Sequence, residues 1–144
     1  MADDSGPSPV TLHVEVVSPE RILWTGEAQM VLARTLGGGD IAFLTGHAPF
    51  VGALDIHTVE VTAEDGTKEV IAVHGGFIEV SHDRVTVLSD VAEVASQIDV
   101  ERARGALGRA EAALRSGEDA EAEAAQRRAQ ARISAASGAS VASH

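Results

Sequence analysis

The hydrophobic period of this chain changes once, near residue 98, and that change limits the folds open to it. Between Val10 and about Asp90 apolar residues alternate with polar ones in short runs. "VTLHVEVV" puts Leu12, Val14 and Val16 on one face and Thr11, His13 and Glu15 on the other. "AQMVLART", "DIAFL", "DIHTVEV", "EVIAVHG", "GFIEVS" and "RVTVLSD" repeat the pattern at close spacing. The Asp-Gly pair in "EDGT" (64–67) and the polar "SHDR" (81–84) read as reversals. Parallel neighbours need crossovers of about a dozen residues or more. Strands this close therefore predict an antiparallel β-sandwich or flattened β-barrel.

From Asp99 the period becomes helical. Val100, Ala103, Leu107, Ala110 and Leu114 recur at three- and four-residue steps, with Asp99 placed to cap the first turn. Gly117 suits a left-handed helix end, and a second helix is expected from about Asp119 to Ala136, its face formed by Ala122, Ala125, Ala129 and Ile133. So short a break predicts a C-terminal two-helix antiparallel hairpin. The expected organisation is a disordered leader over 1–9, an N-terminal β-sandwich domain over 10–92, the helical hairpin over 93–136 and a disordered tail over 137–144. The hairpin stripe is mostly alanine, which buries little area, and Gly105 and Gly108 each cost about 1 kcal/mol against alanine. Weak packing of this kind lets the hairpin change its docking while the sandwich stays folded.

Charge follows the same division. Residues 1–98 carry 15 Asp/Glu and 4 Lys/Arg, whereas residues 99–144 carry 7 of each. A net charge of −11 argues against nucleic-acid binding. No apolar run approaches the roughly 18 residues of a membrane span, so direct membrane insertion is not expected. The chain has no cysteine, which excludes disulfides and thiolate metal sites.

Catalytic signatures are missing. "GGGD" (37–40) has no Lys-Ser/Thr behind it and leads into a strand, so it reads as a turn. The histidines form no pair at metal-ligand spacing, and there is no Gly-x-Ser-x-Gly elbow. His47, in "FLTGHAPFVGAL", is by its residues alone a metal ligand, a base or a loop anchor, with no partner at hand for either of the first two roles. Arg128 and Arg132 lie four apart on one helix face, which reads either as a solvated face or, if the helices pack antiparallel, as half of a basic pocket. In that pocket they would approach Asp99 and Arg102 and suit an anion such as a nucleotide phosphate.

Five ordered blocks carry a resemblance: "SPERILWTGEA" (18–28), "GDIAFLTGHAPFVGAL" (39–54), "HGGFIEV" (74–80), "VTVLSDVAE" (85–93) and "IDVERARGAL" (98–107). Together they resemble the epsilon subunit of bacterial F-type ATP synthases, actinobacterial forms above all. The resemblance implies a non-catalytic central-stalk subunit of a proton-translocating rotary motor. It implies a sandwich that couples the gamma subunit to the membrane c-ring. The mobile hairpin would extend toward the alpha/beta catalytic head and inhibit ATP hydrolysis. The protein would then sit peripherally at the cytoplasmic face of the cell membrane. By the same resemblance Asp40 and His47 would meet the ring, and Arg127, Arg128 and Arg132 would meet the head. A regulatory ATP, not a required cofactor, would be held by Glu93, Ile98, Asp99, Arg102, Ala103, Arg128 and Arg132. The competing reading is a stand-alone β-sandwich binding module with a nucleotide-sensing hairpin.

Overall fold

In the computed structural model, which describes residues 11–117 and 119–138, seven strands precede two helices. The leader expected over 1–9 and all but the first two residues of the tail expected over 137–144 lie outside the described residues. The strands are β1 (Leu12–Val17), β2 (Ile22–Thr35), β3 (Gly39–Phe43), β4 (Phe50–Ala63), β5 (Lys68–Ser81), β6 (Arg84–Leu88) and β7 (Ala92–Val94). They form one sheet in the order β1-β6-β5-β4-β2-β3, with β7 paired to β5 off this path, and an added β1–β2 pairing closes it into a barrel. Leu12, Val14, Val16, Val31, Phe43, Val59, Val61, Ile71, Ile78 and Val87 fill its interior.

Within the sheet, two features depart from the sequence reading. β1 and β6 pair in parallel, His13 opposite Arg84 through Val17 opposite Leu88. The crossover rule is kept, because the connection between them is the whole run from β2 to β5. Second, "EVIAVHG" and "GFIEVS" are one strand, not two. β5 passes through Gly75 (φ 87°) and Gly76 (φ 122°), conformations that only glycine adopts without strain. Across these glycines the buried set shifts by one residue, from Ile71 and Val73 to Ile78 and Val80. A side chain on Gly76 would begin 2.1 Å from the Leu88 carbonyl oxygen, so the close approach of β5 to the end of β6 also requires glycine.

The expected turns form. His82 and Asp83 both adopt positive φ, 53° and 60°, between Ser81 and its partner Arg84, which is a two-residue hairpin of the primed kind. At 64–67 Asp65 accepts from the Thr67 amide at 2.9 Å, and Gly66 takes φ 91°. Residues 36–38 join β2 to β3 with Gly37 at φ 80°.

Beyond β7 a single 3₁₀ turn (Ala95–Gln97) leads to α1 (Val100–Ser116) and α2 (Ala120–Ala136). Asp99 caps α1 by accepting from the Arg102 amide at 3.1 Å, and Asp119 caps α2 by accepting from Glu121 and Ala122. Gly117 ends α1 at φ 153°, ψ 174°, a glycine conformation but not the left-handed helical one expected. The sheet continues to Val94, two residues past the boundary expected at 92. Ala103 and Ala110 of α1 and Ala122 and Ala129 of α2 are buried, and these supply the small-residue helix contact.

The hairpin also uses a second face that the alanine pattern concealed. Ala131 and Ala135 of α2 cluster with Val70 and Ala72 of β5 and with Ile98. α2 therefore lies on the outside of the barrel. It covers a segment of β4 and β5 whose inner side already faces the core.

Candidate functional site

The sequence-derived nucleotide residues do not all share one site. Glu93 (on β7), Asp99, Arg102, Ala103 and Arg132 line one cleft of about 380 Å³ between the two helices and the last strand. Gln97, Ala106 and Arg109 line it as well. Arg109 follows Arg102 by seven residues, two helical turns, so the helical period of α1 already aligned the pair. Ile98 is instead buried beneath α2. Arg128 turns along its own helix and donates to Glu121 at 2.6 Å.

The charges in the cleft are unequally committed. Arg132 donates through Nε to Glu93 Oε1 at 2.5 Å, both side chains being 29% exposed. Among the described residues Arg102 and Arg109 make no ion pair, so two guanidinium groups face the cleft uncommitted. A planar, permanently charged guanidinium suits phosphate oxygens, so this lining can receive an anion.

His74 stands behind Glu93. Its Nε2 is 3.6 Å from Glu93 Oε1, and neither ring nitrogen has a hydrogen-bond partner among the described residues. Burial, and then the Arg132 charge, hold its pKa below the ordinary histidine value, against the opposing pull of Glu93.

A second junction ties the hairpin to the barrel. Arg127 Nη1 donates to Asp55 Oδ1 on β4 at 2.8 Å. Beside it Arg34 grips Asp40 with two bonds, Nε to Oδ1 at 2.8 Å and Nη2 to Oδ2 at 3.2 Å. The Arg34 bond holds the Asp40 carboxyl below the usual carboxylate range. Arg34, Asp55, His57, Leu107 and Arg127 line a cleft of about 480 Å³ here.

Asp40 and His47 do not share a patch. Asp40 lies at the start of β3 beside this junction, and His47 lies in the loop beyond the other end of β3. The His47 ring meets the Phe43 ring edge-on at a centroid distance of 4.8 Å, and its amide donates to Leu44 O. The same loop is tied to the β5–β6 turn, where Gly46 N donates to Asp83 Oδ1 at 2.7 Å. His47 thus anchors the loop from within, while Leu44, Gly46, Ala48 and Pro49 are exposed. Among the described residues no three His, Asp or Glu come together in a way that could hold a metal ion.

One apolar surface went unread in the sequence. Phe77 is 58% exposed and Leu88, opposite it on β6, 51%. Ala53 pairs with Phe77 on its other side and accepts a bond from the amide of exposed Leu36. Exposed Val51 lies nearby on β4, so β4, β5, β6 and the residue after β2 all contribute exposed apolar side chains. Gly75, Gly76, Phe77, Leu88 and Pro19 bound an adjoining cleft of about 480 Å³, with His74 at its inner wall.

Comparison with known proteins gives a consistent result. Residues 11–95 match the family described as the ATP synthase Delta/Epsilon chain beta-sandwich domain. The ATP synthase epsilon chain of Streptomyces griseus is 45% identical over 124 residues, which is 86% of this chain and 94% of the relative. That of Streptomyces coelicolor is 42% identical over 127 residues, 88% of this chain and 96% of the relative. Among solved structures, a chain from the Euglena gracilis mitochondrial ATP synthase OSCP/F1/c-ring assembly superposes with a TM-score of 0.75. It covers 94% of this chain and 86% of its own at 24% identity, a likeness of fold.

Proposed function

This chain belongs to the ATP synthase epsilon-chain family, and on that premise we propose how its two parts serve the rotor stalk of a rotary ATP synthase. The subunit is non-catalytic, which leaves its surfaces and its hairpin to carry the function. Similarity over 94% of the length of a named epsilon chain is the observation that carries this reading, and it removes the stand-alone binding module from contention. No helix is long and apolar enough to cross a membrane among the described residues, in keeping with a peripheral part of a membrane complex.

The barrel is the docking part. The surface formed by Leu36, Val51, Phe77 and Leu88 is too apolar to be left facing water, and it suits the gamma subunit. The loop that leads into β4, stiffened by Pro49 and braced by His47 and Asp83, suits the polar loops of the membrane c-ring at the cytoplasmic face. A braced loop can pass torque, because its backbone is fixed at both ends.

The hairpin is the regulating part. Among the described residues, one small alanine-rich cluster and the two partly exposed pairs Arg127–Asp55 and Arg132–Glu93 hold it to the barrel. Contacts of this size stabilise docking by only a few kcal/mol, order of magnitude. Release would free Arg127 and Arg132 to reach acidic surfaces of the alpha/beta head, with Arg128 beside them, and so to inhibit ATP hydrolysis. Arg102 and Arg109, with Arg132 drawn from Glu93, fit the phosphates of a regulatory ATP. A nucleotide held between the two helices would favour the docked form by mass action.

The direct test of the family role is assembly. A tagged chain expressed in its own cell should co-purify with gamma and the catalytic head. Recovery of the chain alone, with no ATP synthase subunit, would contradict the proposal.

A further inference from the structure

We propose that Glu60 is a built-in release element, a carboxylate whose dehydration opposes docking of the hairpin. The inference rests on the reading that the hairpin detaches.

Residues alternate along β4, and Val59 and Val61 face the core. Thr58, Glu60 and Thr62 therefore face outward, opposite Ala72, Val70 and Lys68 on β5. Val70 and Ala72 belong to the cluster with Ala131 and Ala135 of α2, so Glu60 lies on the face that α2 covers. It is 1% exposed. Neither carboxylate oxygen accepts a hydrogen bond from any described residue, and Thr62 Oγ1 is likewise unpaired. Among the described residues its ion-pair partner is Lys68 Nζ, 3.4 Å from Oε1, on a side chain that is itself 45% exposed.

A buried carboxylate is normally held by several donors, because loss of hydration is costly. Here the covering helix supplies none. Ala131 and Ala135 bring only methyl groups, and the last turn of α2 contains no basic residue. The carbonyl end of a helix is moreover the negative end of its dipole. Glu60 sits between Leu32 on β2 and Val70 on β5, a position that an apolar side chain would fill without cost. When α2 leaves, the outer face of β4 meets water and Glu60 regains its hydration while keeping Lys68 beside it. The cluster and the Arg127 and Arg132 pairs pull the hairpin in, and Glu60 pushes it out. Opposed terms of similar size leave the two states close in free energy, so that a partner or a nucleotide can shift the balance.

The test is amide hydrogen exchange on the full chain, comparing α2 with the barrel strands. In the wild type α2 should exchange faster than the barrel core. Glu60→Gln keeps the shape and removes the charge, and it should slow α2 exchange about tenfold with barrel amides unchanged. If Glu60→Gln does not fold, Glu60→Leu should give the same slowing. Unchanged or faster α2 exchange in the folded variant overturns the proposal, as does loss of barrel protection in both variants, which would make Glu60 a structural requirement. Wild-type α2 amides as protected as the barrel core would instead overturn the hairpin-release reading itself.

Discussion

Arg132 on α2 and Glu93 on β7 meet at 2.5 Å although 39 residues separate them, and this contact both closes the hairpin and borders the anion cleft. The same arginine therefore holds the docked state and faces the ligand site. Replacing Arg132 with alanine should weaken docking by about 1 kcal/mol, given its partial exposure. Exchange of α2 amides should rise roughly fivefold with the barrel unaffected, an effect that shrinks in high salt.

His74 makes stability depend on pH. Its pKa is lowered in the folded chain, so the unfolded chain binds the proton more readily. The stability linked to His74 is complete above the unfolded value of about 6.5 and is lost as pH falls below it toward the depressed folded value. Urea midpoints should drop between pH 7.5 and pH 5 in the wild type. His74→Gln should flatten that part of the profile, and an equally steep profile would assign the loss to other groups.

Arg102 and Arg109 should matter for nucleotide binding and little for folding. Each guanidinium lines the cleft without an ion-pair partner among the described residues. Substituting either with alanine should weaken ATP binding about tenfold in equilibrium dialysis, with thermal stability nearly unchanged. No binding by the wild type at millimolar ATP would remove the nucleotide role altogether.

Gly76 is required by backbone geometry. A Cβ there would meet the Leu88 carbonyl oxygen at 2.1 Å and would have to accept φ 122°. Gly76→Ala should cost about 2–4 kcal/mol or more, read as a large fall in the urea midpoint. A shift as small as that of an exposed surface substitution would contradict the close approach described.

The strands near the barrel core were legible because Leu12, Val14 and Val16 alternate cleanly against solvent-facing neighbours. The helix caps Asp99 and Asp119 were legible because capping is local. The docking face of α2 was not. Alanine occupies so many positions there that Ala131 and Ala135 could not be told from Ala122 and Ala129. Its trace was instead in β4 and β5, where Thr58–Val61 and Val70–Val73 are unbroken buried runs covered on both sides. Arg127 and Asp55 lie 72 positions apart, and no spacing rule connects them. Asp40 was assigned to the ring by resemblance, and its bidentate bond to Arg34 beside Asp55 could not be read from either residue alone.

In the proposed mechanism the hairpin regulates the enzyme only after it leaves the barrel. The chain has no cysteine, so Asp55→Cys with Arg127→Cys gives a unique pair at the docking contact for a short thiol crosslinker. The decisive measurement is the ATP hydrolysis rate of the assembled synthase carrying this variant, before and after crosslinking. Crosslinking should raise hydrolysis to the level seen when residues 99–144 are deleted. Hydrolysis that stays as low with the hairpin fastened as with it free would contradict that mechanism.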